Sequence, residues 1–240
     1  MVLSQLTELA LSQVRGAGYG VLACVACGTA WTVALAWHAP EGAIRAAIRG
    51  ILGGLAAFGA AWCGYAILER QGMAISWEGV LAGGPEGLSI AAAIGFVEEA
   101  AKLFGLALAS AGTRGGPGVV ARRVVAVSAA FATVECAVTV ARSGPALLLL
   151  RSLLAPVAHA ALAAPLGLVL VGGRRGIAWT IPALLMAALL HGAADLSLAL
   201  PNLGRLGYAA VLIAPVLVLH ILAQRGAGRL RRTLPVARPA

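Results

Sequence analysis

Charge is what this 240-residue chain has least of. Charged side chains make up 11% of it, against about 25% in soluble domains, and only nine are acidic. A water-soluble domain of this length needs a polar surface, and so few charges cannot supply one. Lysine is nearly absent: of 18 basic residues, one is Lys and the rest are Arg. Cysteine is too scarce for a disulfide framework, with four residues in an apolar chain. Cys24 and Cys27 form a CxxC spacing, but inside an apolar run, where packing is the expected role. The first apolar run ends at no clear small-residue cleavage site, so a retained span is expected rather than a signal peptide. The net charge of +9 is not clustered on a polar segment, which argues against nucleic-acid binding.

What is abundant is apolar sequence. Hydrophobic residues reach 60% against a usual 45–50%, and the mean hydropathy is +0.92. About 20 residues cross the roughly 30 Å hydrocarbon layer. Apolar runs near 17–37, 50–69, 88–111, 119–141, 146–171, 177–200 and 207–223 therefore predict about seven spans. The expected fold is all-α, a polytopic transmembrane helix bundle forming one domain over 1–223, its motif-bearing core at 88–200. The basic stretch 224–240 is expected to be a disordered cytoplasmic tail. Small-xxx-small pairs, Gly50/Gly54 and Ala91/Gly95, are suited to close helix packing in lipid.

Basic residues set the orientation. The segments after spans one, three, five and seven hold Arg45, Arg49, Arg114, Arg122, Arg123, Arg174 and Arg175, and the tail adds Arg225, Arg229, Arg231, Arg232 and Arg238. The opposite side holds Arg15, Arg70, Arg142 and Arg205. This asymmetry predicts an outside N-terminus and a cytoplasmic C-terminus in a multi-pass plasma-membrane protein.

Six charges fall inside these spans: Glu98, Glu99, Lys102, Glu135, Arg151 and Asp195. A central charge costs roughly 2.5–3.5 kcal/mol on insertion scales, so six unpaired ones would cost on the order of 15–20 kcal/mol. Whole-protein stabilities are about 5–15 kcal/mol. The charges must be paired, hydrated or neutralised. Lys102 lies within helical reach of both Glu98 and Glu99, and one lysine cannot neutralise both. His191 and Asp195 are one turn apart, a spacing that lets the carboxylate orient the imidazole. Counted from the cytoplasmic span ends at 1.5 Å per residue, Glu98, Glu99, Glu135, His159 and His191 all fall roughly 18–24 Å deep. Arg151 and Asp195 sit further toward the outer face.

Carboxylates and imidazoles converging at one depth can activate water for hydrolysis, with a Glu as base and a His or Lys steadying the oxyanion or leaving group. The same groups could hold zinc as two His and a Glu, with a position left for water. They could also relay protons in a carrier. No HExxH is present, and the residues alone leave these alternatives open.

At this point the chain resembles a known family. Glu98-Glu99-Ala100-Ala101-Lys102 is similar to the EExxK motif of the PrsW family of intramembrane proteases, relatives of the CAAX-protease and bacteriocin-immunity superfamily. Phe131 to Glu135 resembles FxxxE, Arg151 to His159 the family's Arg-to-His segment, and His191 to Asp195 HxxxD. The CAAX-protease branch typically carries EExxxR and FxxxH; Lys102 and Glu135 depart from both, which argues against prenylated substrates.

The resemblance implies hydrolysis of a peptide bond in a membrane-protein substrate. A single-span protein like an anti-sigma factor is the partner it suggests, alongside the lipid bilayer. It implies catalytic roles for Glu98, Glu99, His159 and His191, supported by Lys102, Glu135, Arg151 and Asp195. Families of this type have been described as metalloproteases and as glutamate-dependent proteases, so the resemblance fixes no cofactor. If zinc is used, Glu98, Glu99, His159 and His191 are its expected ligands. The other readings of the chain are a non-catalytic membrane peptide-binding, immunity or scaffold protein and a proton-coupled carrier.

Overall fold

The computed structural model describes residues 18–31, 33, 43–111, 117–143, 148–171 and 177–198, with 207, 209, 210 and 213 individually. These form eight helices and no strand among the described residues. They are α1 (Gly18–Trp31), α2 (Ala43–Arg70), α3 (Trp77–Ala82), α4 (Gly84–Ser110), α5 (Pro117–Ser143), α6 (Leu148–Leu162), α7 (Ala164–Val171) and α8 (Ile177–Leu198). Of the expected seventh span, 207–223, only residues 207, 209, 210 and 213 are described, each helical; its other residues and the tail, 224–240, lie outside the described residues.

Three stretches are long and apolar enough to cross a bilayer: Ala47–Arg70, Arg122–Ala141 and Ala178–Ser197. Helix α4 has 27 residues, about 40 Å at the helical rise, but carries Glu98, Glu99 and Lys102 in its middle. Its length suits a span; its composition suits one only if those charges are matched by neighbours.

Helix α2 shows how the bundle is built. Its inward residues are small: Ala47, Gly50, Gly53, Gly54, Ala57 and Ala61 are buried, while Leu52, Leu55, Trp62 and Ile67 point outward. A soluble helix would bury the large side chains. In lipid there is no gain from hiding a leucine from another apolar medium, so close backbone packing holds helices together instead. Gly50 meets Ala126, Gly54 meets Ala130 and the Phe131 backbone, and Gly53 meets the Gly105 carbonyl. Both expected small-residue pairs lie at helix crossings: Gly95 abuts Ala188 and Gly192, and Gly192 in turn abuts Ala91.

Helix α4 packs against α2 and α8, α8 against α7, α7 against α5, and α5 against α2. The circuit closes, and the polar residues of α4, α5, α6 and α8 meet inside it. The run 146–171, expected as one continuous span, is divided into α6 and α7 at Ala163. Pro165, in the first turn of α7, lacks the N–H that would continue the helical ladder across the break. Helix α3 was not anticipated. Ser76 caps it by accepting a hydrogen bond from the Gly79 amide at 3.0 Å, and Gly83, at φ +69°, ends it.

Candidate active site

Two adjacent glutamates on α4 point roughly 100° apart around the helix, so they meet different neighbours. Glu99 is fully buried. Its Oε1 accepts a hydrogen bond from Lys102 Nζ at 2.6 Å and lies 2.8 Å from Nδ1 of His191 on α8. The lysine is thus matched within its own helix, one turn on. Its ammonium also lies 5.0 Å from the centre of the Phe131 ring, within cation–π range.

Glu98 faces the bundle interior. Its Oε1 accepts a hydrogen bond from the Tyr65 hydroxyl at 2.7 Å. Its Oε2 lies 3.4 Å from His191 Nε2 and 3.8 Å from His159 Nδ1. The other nitrogen of His159, Nε2, is 3.0 Å from Glu135 Oε2. The two imidazoles meet edge to face, ring centres 5.2 Å apart, and Phe131 packs on His159 at 5.6 Å.

Each histidine therefore has one nitrogen facing a carboxylate outside the pair and the other facing Glu98. With the Nδ1–H of His191 donating to Glu99, its Nε2 lone pair faces Glu98 Oε2. With the Nε2–H of His159 donating to Glu135, its Nδ1 lone pair does the same. Three acceptor atoms then converge with no proton between them. Glu98 Oε2 and His159 Nδ1 are both buried without a hydrogen-bond partner, a costly arrangement in an apolar interior.

A cation would satisfy all three. Glu98, His159 and His191 are grouped closely enough to hold a metal ion. Tetrahedral zinc with bonds of about 2.0–2.1 Å separates its ligand atoms by about 3.4 Å. The observed separations of 3.4 and 3.8 Å from Glu98 Oε2 are close to that edge. Orientation of each metal-binding imidazole by a carboxylate on its far nitrogen is the usual support for such a site.

A model of the PrsW family, described as intramembrane metalloproteases, matches residues 44–221. The chain belongs to this family. It is therefore a membrane-embedded hydrolase of the metalloprotease class. No curated protein and no solved structure matches it.

Most of the charged and histidine side chains singled out in the sequence come together from α4, α5, α6 and α8. Glu98, Glu99, Lys102, Glu135, His159 and His191 form one connected cluster. Asp195 Oδ2 lies 3.9 Å from His191 Nε2, too far for the expected orienting hydrogen bond; Glu99 is the carboxylate at hydrogen-bond distance from that ring. Arg151 lies on α6, and its side chain is outside the described residues. Of the CxxC pair, Cys24 is buried with its sulfur 2.8 Å from that of Cys136. Sequence reasoning missed Tyr65. A lone tyrosine in an apolar span signals little, though a buried phenolic hydroxyl generally has a partner.

Proposed function

We propose that this PrsW-family protein hydrolyses a peptide bond in a single-span membrane-protein substrate, using one zinc ion held by Glu98 Oε2, His159 Nδ1 and His191 Nε2. The observation that carries this reading is the close grouping of Glu98, His159 and His191, with Glu98 Oε2 and His159 Nδ1 buried and without a hydrogen-bond partner. Zinc with three protein ligands supplies Lewis acidity, which polarises a carbonyl and lets water attack near neutral pH.

The chain's own residues do the rest. Glu99, anchored by Lys102, holds the His191 ring. Glu135 holds the His159 ring and serves as the proton carrier, taking a proton from the attacking water and returning it to the leaving amine. Side-chain exposure favours Glu135 for that work. It is 21% exposed, against 12% for Asp195, 7% for Glu98 and none for Glu99. Of these carboxylates, Glu135 is the least enclosed by the protein. Glu99, expected from the motif to share water activation, is better placed to orient His191.

The basic-residue asymmetry supports an outside N-terminus, a cytoplasmic C-terminus and a plasma-membrane location. One helical domain over 1–223 followed by a tail at 224–240 fits the same reading.

The test uses the full chain purified in detergent, alongside membranes in which N-termini are mapped across the proteome. The wild type is expected to carry one zinc per chain and to generate new termini in membrane proteins. A strong zinc chelator should stop cleavage, and added zinc restore it. Glu135→Gln should bind zinc more weakly, as loss of an orienting carboxylate implies, yet lose cleavage even when saturated with zinc, whereas Glu98→Gln should lose both. Undiminished cleavage by zinc-free protein would sink the metal assignment, and identical terminus sets from wild type and Glu98→Gln would sink the peptidase reading.

A further inference from the structure

Tyr65 belongs to α2, a helix that carries none of the recognised motifs, yet its hydroxyl reaches Glu98 Oε1 at 2.7 Å. The two histidines proposed as ligands each have their far nitrogen held by a carboxylate, Glu99 for His191 and Glu135 for His159. Glu98 is the third proposed ligand, and Tyr65 does for it what those carboxylates do for the imidazoles.

The chemistry of a carboxylate gives that contact a purpose. The terminal torsion of Glu is broad and roughly two-fold, so an unrestrained Glu98 could present either oxygen, or both, to a cation. Binding through both oxygens would crowd the open position that a catalytic zinc site keeps for water and substrate. A hydrogen bond on Oε1 leaves Oε2 as the oxygen facing the imidazoles.

We propose that Tyr65 is the positioning residue of Glu98, its hydroxyl restricting the carboxylate to one metal-facing oxygen. This rests on the zinc reading above. The aromatic ring also packs between two apolar clusters, one around Ala57 and Phe131 and the other around Val80 and Ile94. Phenylalanine would keep that packing and remove only the hydroxyl, so Tyr65→Phe isolates the hydrogen bond.

The experiment strips the full-length wild type and Tyr65→Phe of metal, then titrates each with zinc against a competing chelator. Thermal unfolding of the metal-free forms is measured in parallel. Loss of an outer partner of a metal ligand generally weakens affinity about 10–100-fold, and a loss of that size is expected in Tyr65→Phe. Equal zinc affinity in the two proteins overturns the proposal, whatever the unfolding temperatures do. A wild type that binds no zinc overturns the metal reading itself, an outcome visible before any variant is compared. Should Tyr65→Phe not fold, a ring-fluorinated tyrosine at position 65 carries the same test. It keeps the hydroxyl but makes it a stronger donor; changed zinc affinity is expected, and unchanged affinity overturns the proposal.

Discussion

The carboxylates of Glu98 and Glu99, adjacent in sequence, meet opposite nitrogens of one imidazole: Glu98 Oε2 faces His191 Nε2 while its Oε1 accepts from Tyr65, whereas Glu99 Oε1 faces His191 Nδ1 and accepts from Lys102. The division resolves the difficulty of two buried acids beside one lysine. Glu99 takes the ammonium, and Glu98 turns its second oxygen to the two imidazoles, where a cation would neutralise it. Two different consequences follow for the same chemical change at neighbouring positions.

Glu98→Gln is expected to abolish stoichiometric zinc binding, because the amide replaces the one charged ligand. Glu99→Gln should leave the ligands in place but loosen the His191 ring, weakening zinc about 10–100-fold. Chelator-competition titration of both purified variants checks the order. Equal losses would mean that the two carboxylates do not divide the work in this way.

Lys102→Met should be more damaging to folding than a single charge removal on a surface. Lys102 is 3% exposed, and Glu99 is fully buried, so the substitution leaves a buried carboxylate with the His191 contact but without its ammonium partner. Breaking a buried pair costs about 3–5 kcal/mol. The double variant Lys102→Met/Glu99→Gln removes both charges and should unfold at a higher temperature than Lys102→Met alone. Thermal denaturation in detergent decides it; a double variant no more stable than the single one would refute the pairing as the source of the loss.

The cysteines give a contrasting expectation. Cys24 packs with Cys136 and Val140, and neither sulfur lies in the Glu98–His159–His191 group. Cys24→Ala should therefore leave zinc content at the wild-type value and cleavage within about two-fold, since only packing and a weak sulfur–sulfur hydrogen bond are removed. Elemental analysis showing zinc lost from that variant would contradict the assigned ligand set.

Much of the site was legible because the chain has so few charges to place. Its single lysine and single aspartate both lie on helices that meet at the cluster, and a membrane interior makes every such residue costly unless it is matched. Helical spacing brought Lys102 to the two glutamates, and depth counting brought His159, His191 and Glu135 to one level. Neither method says which residues on different helices touch. Rotation of α8 about its axis presents His191 to Glu99 while Asp195, one turn away, stays at 3.9 Å; intrahelical spacing alone favoured the Asp195 partner. Tyr65 was invisible for a related reason: its meaning depends wholly on α2 crossing α4. The break between α6 and α7 was hidden in the continuous apolar run 146–171, and Pro165 alone did not mark it, since Pro156 and Pro182 lie inside unbroken helices.

Gly95 links the fold to the site most directly. A Cβ there would collide with the Ala188 carbonyl, lie 2.8 Å from the Gly192 amide nitrogen and 3.2 Å from the Cβ of His191. None of these is a flexible side-chain end that could swing aside, so α4 and α8 would have to separate, carrying Glu98 and Glu99 away from His191. Overpacking of this kind costs about 1–3 kcal/mol, and Gly95→Val should lower the unfolding temperature accordingly. Zinc affinity should fall as well, even in protein that remains folded, because the ligands sit on the two helices being parted. Gly59, with nothing within 4 Å of a Cβ, is the matched control. Gly59→Ala faces open space and should be neutral or slightly stabilising through reduced unfolded-state entropy. Zinc titration of both variants, done on fractions shown to be folded, separates the two effects. Gly95→Val protein that binds zinc as tightly as wild type would show that the α4–α8 crossing does not set the spacing of the ligands.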